Sequence, residues 1–501
     1  MGMVRRRHGS PRVAVLAATV ALLMTGCNWL QFGGGSQHSG FSIETGITPS
    51  NVNSVHQLWQ VTPPARADGA PAYVEGVDTP SGKRDLVFVT TVAGDLVAYD
   101  AAAGGAPVWQ AHHPAGTCRI NNGSSVCYTT SSPAVDPHLG FVYTYGLDGY
   151  VHKHAIGTGV ETIGGGWPVL TTRKAFDEKG SSALTVATVA SGTSYLYMTH
   201  AGYPGDRGDY QGHVTVINLA TGAARYFNTL CSNQAVLFFH APATPDCSLV
   251  TAGVWSRDGV MYDFDTDRLY LVSGNGTYAP AQHHWGDSVL AIQPDGTGNA
   301  LNDPVDAYTP TNYQQLQDLD ADLGSTTPAV LPTPNTSRVR HLGVQGGKDA
   351  KLRLLNLDDL SGQGGPGHTG GEVGPIINVP QGGEVLSAPA VWVNPADSST
   401  WVFVTTSGGV SALRLNVDGA GNPSLATMWT VTTAGTEGSP LVSNGVVYVA
   451  FSGSLRAYNA VTGGNPLWST TIGGVHWQSP VIGGARVFME DQNGHLTAYG
   501  L

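Results

Sequence analysis

The chain has 501 residues, of which 67 are Gly and 30 are Pro; only 12% are charged, and the net charge is −12. That length admits two or three ordinary domains or one large repeat architecture, and sparse charge among many Thr, Val and Tyr strand formers excludes a disordered chain. The acidic balance argues against nucleic acid or an anionic membrane surface as a partner.

The chain begins with a basic stretch, MGMVRRRHGSPR, followed by the apolar run VAVLAATVALLM and then TGC. Residues 1–26 read as a secretory signal, and Cys27 at the cut predicts a bacterial lipoprotein whose thiol receives lipid. Met24 departs from the Leu usual in that motif, and a plain cleaved signal with an incidental cysteine is the alternative. An apolar run of about a dozen residues is too short to span a bilayer. Residues 1–26 hold Arg5, Arg6, Arg7 and Arg12 and no acid, which takes the remainder from −12 to −16. The expected location is the cell envelope, periplasmic or outer surface, with membrane contact only through a lipid anchor at Cys27. Four further cysteines, Cys118, Cys127, Cys231 and Cys247, suit the disulfides of an exported protein, and the local pairs 118–127 and 231–247 would each close a short loop. Neither Cys-x-x-Cys nor Cys-x-x-Cys-His occurs, so nothing supports thioredoxin-like redox chemistry or covalent haem.

One pattern then returns along the chain: apolar strand, Gly-containing tight turn, second apolar strand, polar turn. It starts at Leu86, Phe141, Tyr195, Leu269, His341, Trp401, Val446 and Arg486, as in LVFVTTVAGDLVAYDAAAGG and VVYVAFSGSLRAYNAVTGG. Spacings of roughly 40 to 75 residues indicate a propeller or solenoid. A further strand precedes many copies (SSPAVD, STTPAVLP, SAPAVWV, GSPLVSNG, QSPVIGG), and a Trp strand follows several (PVWQ, TMWT, PLWS). Four strands per copy make one blade. The fold expected is all-β: an eight-bladed β-propeller of four-stranded antiparallel blades. The last copy lacks its Trp strand, and an orphan, HQLWQVTP, stands at 56–63; it is predicted to complete that blade and close the ring, leaving no exposed strand edge. The division expected is a signal segment 1–26, a lead-in segment 27–54 and a propeller over 55–501.

The run YLVSGNGTYAP ends a strand at Gly274-Asn275-Gly276. Both residue types tolerate positive φ, so the turn explains them by itself; a ligand role for Asn275 needs more. The pairs His112-His113 and His283-His284 are assigned to no metal, because strand neighbours point to opposite faces.

GDLVAYDAAAGGAPVW and GSLRAYNAVTGGNPLW resemble the repeat of pyrroloquinoline quinone (PQQ) propellers, and NWLQFGGGSQHSGFSIETGITPSNVNSVHQLW resembles the start of quinoprotein alcohol dehydrogenases. The resemblance covers essentially the whole chain after the signal. GVWSRDGVMYDFDTDRLYLVSGNGTYAP is similar to the family segment in which a Trp underlies the quinone and an Asn binds calcium, which implies these roles for Trp255 and Asn275. DLDADLGSTTPAVL resembles the segment of the catalytic Asp, implying Asp322 with Asp320 next, and VQGGKDAKLRLLN implies Lys348 as the basic residue at the quinone. The chemistry is coherent: an aromatic face and a Lys suit a flat tricarboxylate, an amide oxygen suits calcium, and an Asp suits proton abstraction. Two elements depart. The family's adjacent Cys-Cys pair is absent, leaving CRINNGSSVC with Arg119 as the nearest cover. The family's calcium-binding Glu is also absent, with Asp206 and Asp209 the nearest acids.

Two functions of different class follow. The resemblance implies a PQQ- and calcium-dependent dehydrogenase of a small or polymeric alcohol, passing electrons to an external acceptor. The alternative is a noncatalytic propeller lipoprotein, like the barrel-assembly scaffold, that holds a protein partner on its surface. The first requires Trp255, Asn275, Asp322 and Lys348 to converge; the second requires that they do not.

Overall fold

The computed structural model describes residues 27–116, 127–136, 138–204 and 206–501. The signal segment, Cys118 and Arg119 lie outside the described residues, as does most of the loop ahead of Cys127.

Eight antiparallel sheets follow one another around a ring. The first runs from Ala72–Thr79 to Gly104–His112 and the second from Ala134–Asp136 to Val169–Leu170. The third spans Glu178–Gly180 to Ala224–Asn228, the fourth Met261–Asp263 to Asp306–Tyr308, and the fifth Ala329–Leu331 to Ile377–Asn378. The sixth runs from Ala390–Val393 to Pro423–Thr432 and the seventh from Leu441–Ser443 to Gly463–Thr470. The eighth joins Val481–Gly483, Arg486–Glu490 and Leu496–Gly500 to the early strand His56–Val61, so the ring closes as expected. Among the described residues there is one α-helix, Tyr313–Asp318, and no helix is long and apolar enough to cross a membrane.

Inner strands lie between two neighbouring blades, so both of their faces are covered. Val446–Phe451 is buried at every position, whereas the outer strand His56–Val61 is mostly exposed. This is why the sequence shows continuous apolar runs followed by polar Trp strands instead of one alternating pattern. The outer-strand Trp residues join the blades. Trp109 of the first blade donates its Nε1–H to the Ile156 carbonyl of the second (2.9 Å), and its indole lies over Gly159. Gly159 has φ +70°, and a Cβ there would come within 2.5 Å of the indole. Trp59 on Gly104 and Trp429 on Gly463 repeat the arrangement, with bonds to Ala101 and Ala460. The Trp and the turn glycine of the repeat are thus two halves of one inter-blade contact.

The lead-in segment makes a second circuit. Trp29 bridges to Tyr73 of the first blade, and the Leu30 carbonyl accepts from Val135 in the second. Gln31 bonds Val186 in the third, and Ser36 and His38 bond Tyr262 and Val260 at the fourth. Ser39 meets Val391 of the sixth, Phe41 pairs with Val442 of the seventh, and Glu44 accepts from Ala485 in the eighth. One extended segment therefore touches seven blades in ring order.

Candidate functional site

The Trp-strand rhythm lapses in the third, fourth and fifth blades, where loops between strands carry polar residues to the axis. In the fourth, strand Arg268–Val272 ends at Gly274. A Cβ on Gly274 would lie 2.6 Å from Trp255 Nε1 and 3.1 Å from Asp322 Oδ1, so glycine is needed for the backbone to pass beneath them. Asn275 follows, its carbonyl accepting from Ala252 N (2.7 Å). Its Nδ2 donates to Asp320 Oδ1 (2.7 Å), while its Oδ1 is buried and has no partner.

The fifth blade supplies the rest. Asp322 is buried; its Oδ1 accepts from Trp255 Nε1 (3.2 Å) and Gly324 N (2.8 Å), and its Oδ2 pairs with Lys348 Nζ (2.7 Å). Lys348 Nζ also meets Asp320 Oδ1 (2.7 Å) and lies 5.0 Å over the Trp255 ring. Burial pushes the Asp322 carboxyl up against the pull of Lys348. Burial works against the Lys348 ammonium, but Asp322 and Asp320 outweigh it and hold that ammonium well above its ordinary value. Trp255, Asn275, Asp320, Asp322 and Lys348 therefore form one hydrogen-bonded group.

An acid that the sequence did not single out completes it. Asp287, in WGDSVL, is fully buried, and its N–H donates to the Gly274 carbonyl (3.0 Å). Neither carboxylate oxygen has a hydrogen-bond partner. Burial first, and then Asp322, push it up to about 8; Lys348, and after it the nearby Leu323 amide, offset this only in part. The only sequence signal of Asp287 is an acid entering an apolar strand.

Beside Trp255 lies Trp477, 6.1 Å away and tilted 33°, also unforeseen. Two buried cations flank it: Arg257 at 5.3 Å and Lys179 at 5.2 Å. Arg257 Nη1 donates to the Glu437 carbonyl, and burial brings the Lys179 ammonium down to about 8. Asp68 is bound by His476 (2.9 Å) and by the Trp477 N–H. Trp477 falls outside the Trp-strand position of its repeat, so its sequence context gave no cue.

The two acids proposed to replace the missing Glu do not join the Asn275 group. Asp209 is taken up by Lys174 (3.4 Å) and His240 (3.2 Å), and Asp206 accepts from Tyr210 Oη (2.5 Å). Tyr210 links Asp206 to the site, since Asp322 and Asp320 contribute to raising its phenol after burial and Asp206. The Cys231–Cys247 disulfide is formed. Arg119 lies outside the described residues.

Chemically, the group offers unpartnered hard oxygens at Asn275 and Asp287 beside Asp320 and Asp322. Next to it are two indoles ringed by Lys348, Arg257 and Lys179. The first half suits a divalent cation and the second a flat polyanion.

Comparison with known proteins agrees with the fold. Residues 29–145 match the family model described as glucose/ethanol/alcohol dehydrogenase, beta-propeller domain, and residues 393–500 match that of the outer membrane protein assembly factor BamB. The two matches, one at each end of the propeller, support a PQQ-like propeller superfamily. Among solved structures, a quinohemoprotein alcohol dehydrogenase of Pseudomonas putida HK5 is 15% identical with a TM-score of 0.62, covering 95% of this propeller and 80% of that chain. The quinohemoprotein alcohol dehydrogenase of Comamonas testosteroni is 14% identical (TM-score 0.61; 94% and 80% covered). A europium-containing methanol dehydrogenase is 15% identical (TM-score 0.63; 95% and 98% covered). At these identities the likeness is one of fold. A search of the curated proteins found no match.

Proposed function

We propose that this PQQ-like propeller is an exported oxidoreductase that binds PQQ and a divalent cation at the axis and oxidises an alcohol, passing the electrons to an external acceptor. The supporting observation is the group Trp255–Asn275–Asp320–Asp322–Lys348, brought together from separate blades around oxygens that have no protein partner. The residues fit both missing groups. Asn275 Oδ1 and Asp287 would hold the cation, and Lys348, Lys179 and Arg257 would receive the carboxylates of a quinone lying against the indoles. When bound, the quinone would take the hydride equivalent of the alcohol, with the cation polarising one of its carbonyls.

The chain's own residues do the rest. Asp322 is fully engaged by Trp255, Gly324 and Lys348, and so acts as a holding group. Asp320 has an exposed side chain (70%) and is the acid that an incoming hydroxyl can reach, so the proton of the alcohol goes to Asp320. This reverses the order implied by the resemblance, which put Asp322 first. Asp287 must lose its proton when a cation arrives, so cation binding tightens as pH rises towards 8.

The test is titration of the lipid-free Cys27→Ser protein with PQQ, with and without Ca²⁺, followed by tryptophan quenching. Saturable, calcium-dependent quenching that weakens at least tenfold in Asn275→Ala supports the reading; absence of binding under both conditions overturns it. A second reading rests on the match of residues 393–500 to an assembly factor: a propeller that holds a protein partner and has no chemistry. It gains only if quinone binding fails.

A further inference from the structure

A separate cluster lies between the first and second blades, remote in sequence from every residue of the axial group. His113 follows the outer strand Gly104–His112, while His152 and His154 lie on Tyr150–Ala155 and Glu161 on the loop after it. His112 and His113 do diverge, as strand neighbours should: His112 turns to Asp95 (2.7 Å) and His113 turns inward. There it meets a histidine of the next blade, a partner that local sequence could not reveal.

His113 Nε2 and His154 Nε2 face each other at 3.0 Å, and a Glu161 carboxylate oxygen lies within 4.8 Å of both. Two ligand nitrogens about 2.0–2.1 Å from a tetrahedral zinc stand roughly 3.3 Å apart, so the pair is already near ligand spacing. Each ring is also oriented from behind. His154 Nδ1–H donates to the Gly159 carbonyl (2.9 Å), which fixes the tautomer that leaves Nε2 with a lone pair. His113 is stacked at 3.5 Å and 13° on His152, and His152 is clamped by Glu161 Oε1 (2.6 Å) and Asp148 (3.2 Å). That clamp holds the Glu161 carboxylate beside the histidine pair. Val160 and Ile163 beside Glu161 are exposed, so the loop that would admit an ion lies at the surface.

We infer that His113, His154 and Glu161 form a zinc site, with water as the fourth ligand, that ties the first blade to the second. Two imidazoles and one carboxylate suit a borderline cation such as Zn²⁺ better than calcium, which prefers oxygen alone. The site is independent of the quinone reading and survives its failure.

The experiment uses the full protein purified without a polyhistidine tag, stripped with EDTA and titrated with Zn²⁺ against a chromophoric chelator. One equivalent should bind, raise the unfolding temperature, and weaken at least tenfold in both His113→Gln and His154→Gln, with His283→Gln unchanged. Co²⁺ should give the intense visible bands of a four-coordinate ion. No stoichiometric binding, or equal affinity in wild type and both variants, overturns the inference. If a histidine variant fails to fold, Glu161→Gln and the Co²⁺ spectrum of the wild type decide it: unchanged affinity or a six-coordinate spectrum counts against the site.

Discussion

The inter-blade seams and the axis of this ring are both built around tryptophan, yet they use it in opposite ways. Trp109 lies over a glycine, spends its N–H on a backbone carbonyl of the next blade and is almost wholly buried. Trp255 spends its N–H on a carboxylate, carries an ammonium over its face and stays partly open. The seam contact is finished within the protein. The axial one is unfinished, with acceptors at Asn275 and Asp287 that have no partner. Repetition marks where the chain packs against itself, and interrupted repetition marks where it is built to receive something else.

The sharpest way to break this contrast is to truncate both indoles. Trp109→Ala should cost about 3–5 kcal/mol in urea unfolding, the usual penalty for a buried aromatic. Trp255→Ala should cost far less and abolish quinone-dependent quenching instead. Equal stability losses would remove the distinction. A smaller effect is expected from the other half of the seam. Gly463→Ala puts a Cβ 2.4 Å from the Trp429 ring at φ +57° and should cost about 2–3 kcal/mol, whereas Gly453, with open space around it, should lose about 1 kcal/mol on the same change.

The smallest effect sharpens the axial side. Asp287 has a folded value near 8, above its unfolded carboxylate value, so the folded state binds the extra proton between about pH 4 and 8. Its stabilisation is full at low pH and is lost as pH rises through that window, by at most about 1.4 kcal/mol per pH unit. Glu437, raised to about 7 by burial, adds a slope of the same sign. Asp287→Asn should therefore lose less stability between pH 5 and 8 than wild type when metal-free; an unchanged slope would show that Asp287 does not hold that proton.

The blades and the closing strand were legible because Trp strands and turn glycines recur along the chain, and even the orphan strand with Trp59 fell into place; that the two residues meet across a seam was not legible, since they lie in neighbouring blades. The axial group was legible only through family likeness, which named Trp255, Asn275, Asp320, Asp322 and Lys348 without showing their contacts. Asp287, Trp477, Lys179 and Arg257 escaped because nothing local distinguishes a buried charge at the axis from one at a turn. His113 was singled out with His112 and set aside, because its partners His154 and Glu161 belong to the next blade, 41 residues away for His154.

The circuit of residues 29–44 has a bearing on when the molecule can exist at all. These residues precede in the chain every blade they contact, up to Ala485. The strand that follows must wait as well, since Gln60 bonds Thr497 across 437 residues. The hoop can fill as successive blades emerge, but the clasp on His56–Val61 cannot form until the eighth blade does. Closure of the ring therefore waits for the eighth blade, however early the other seven have formed.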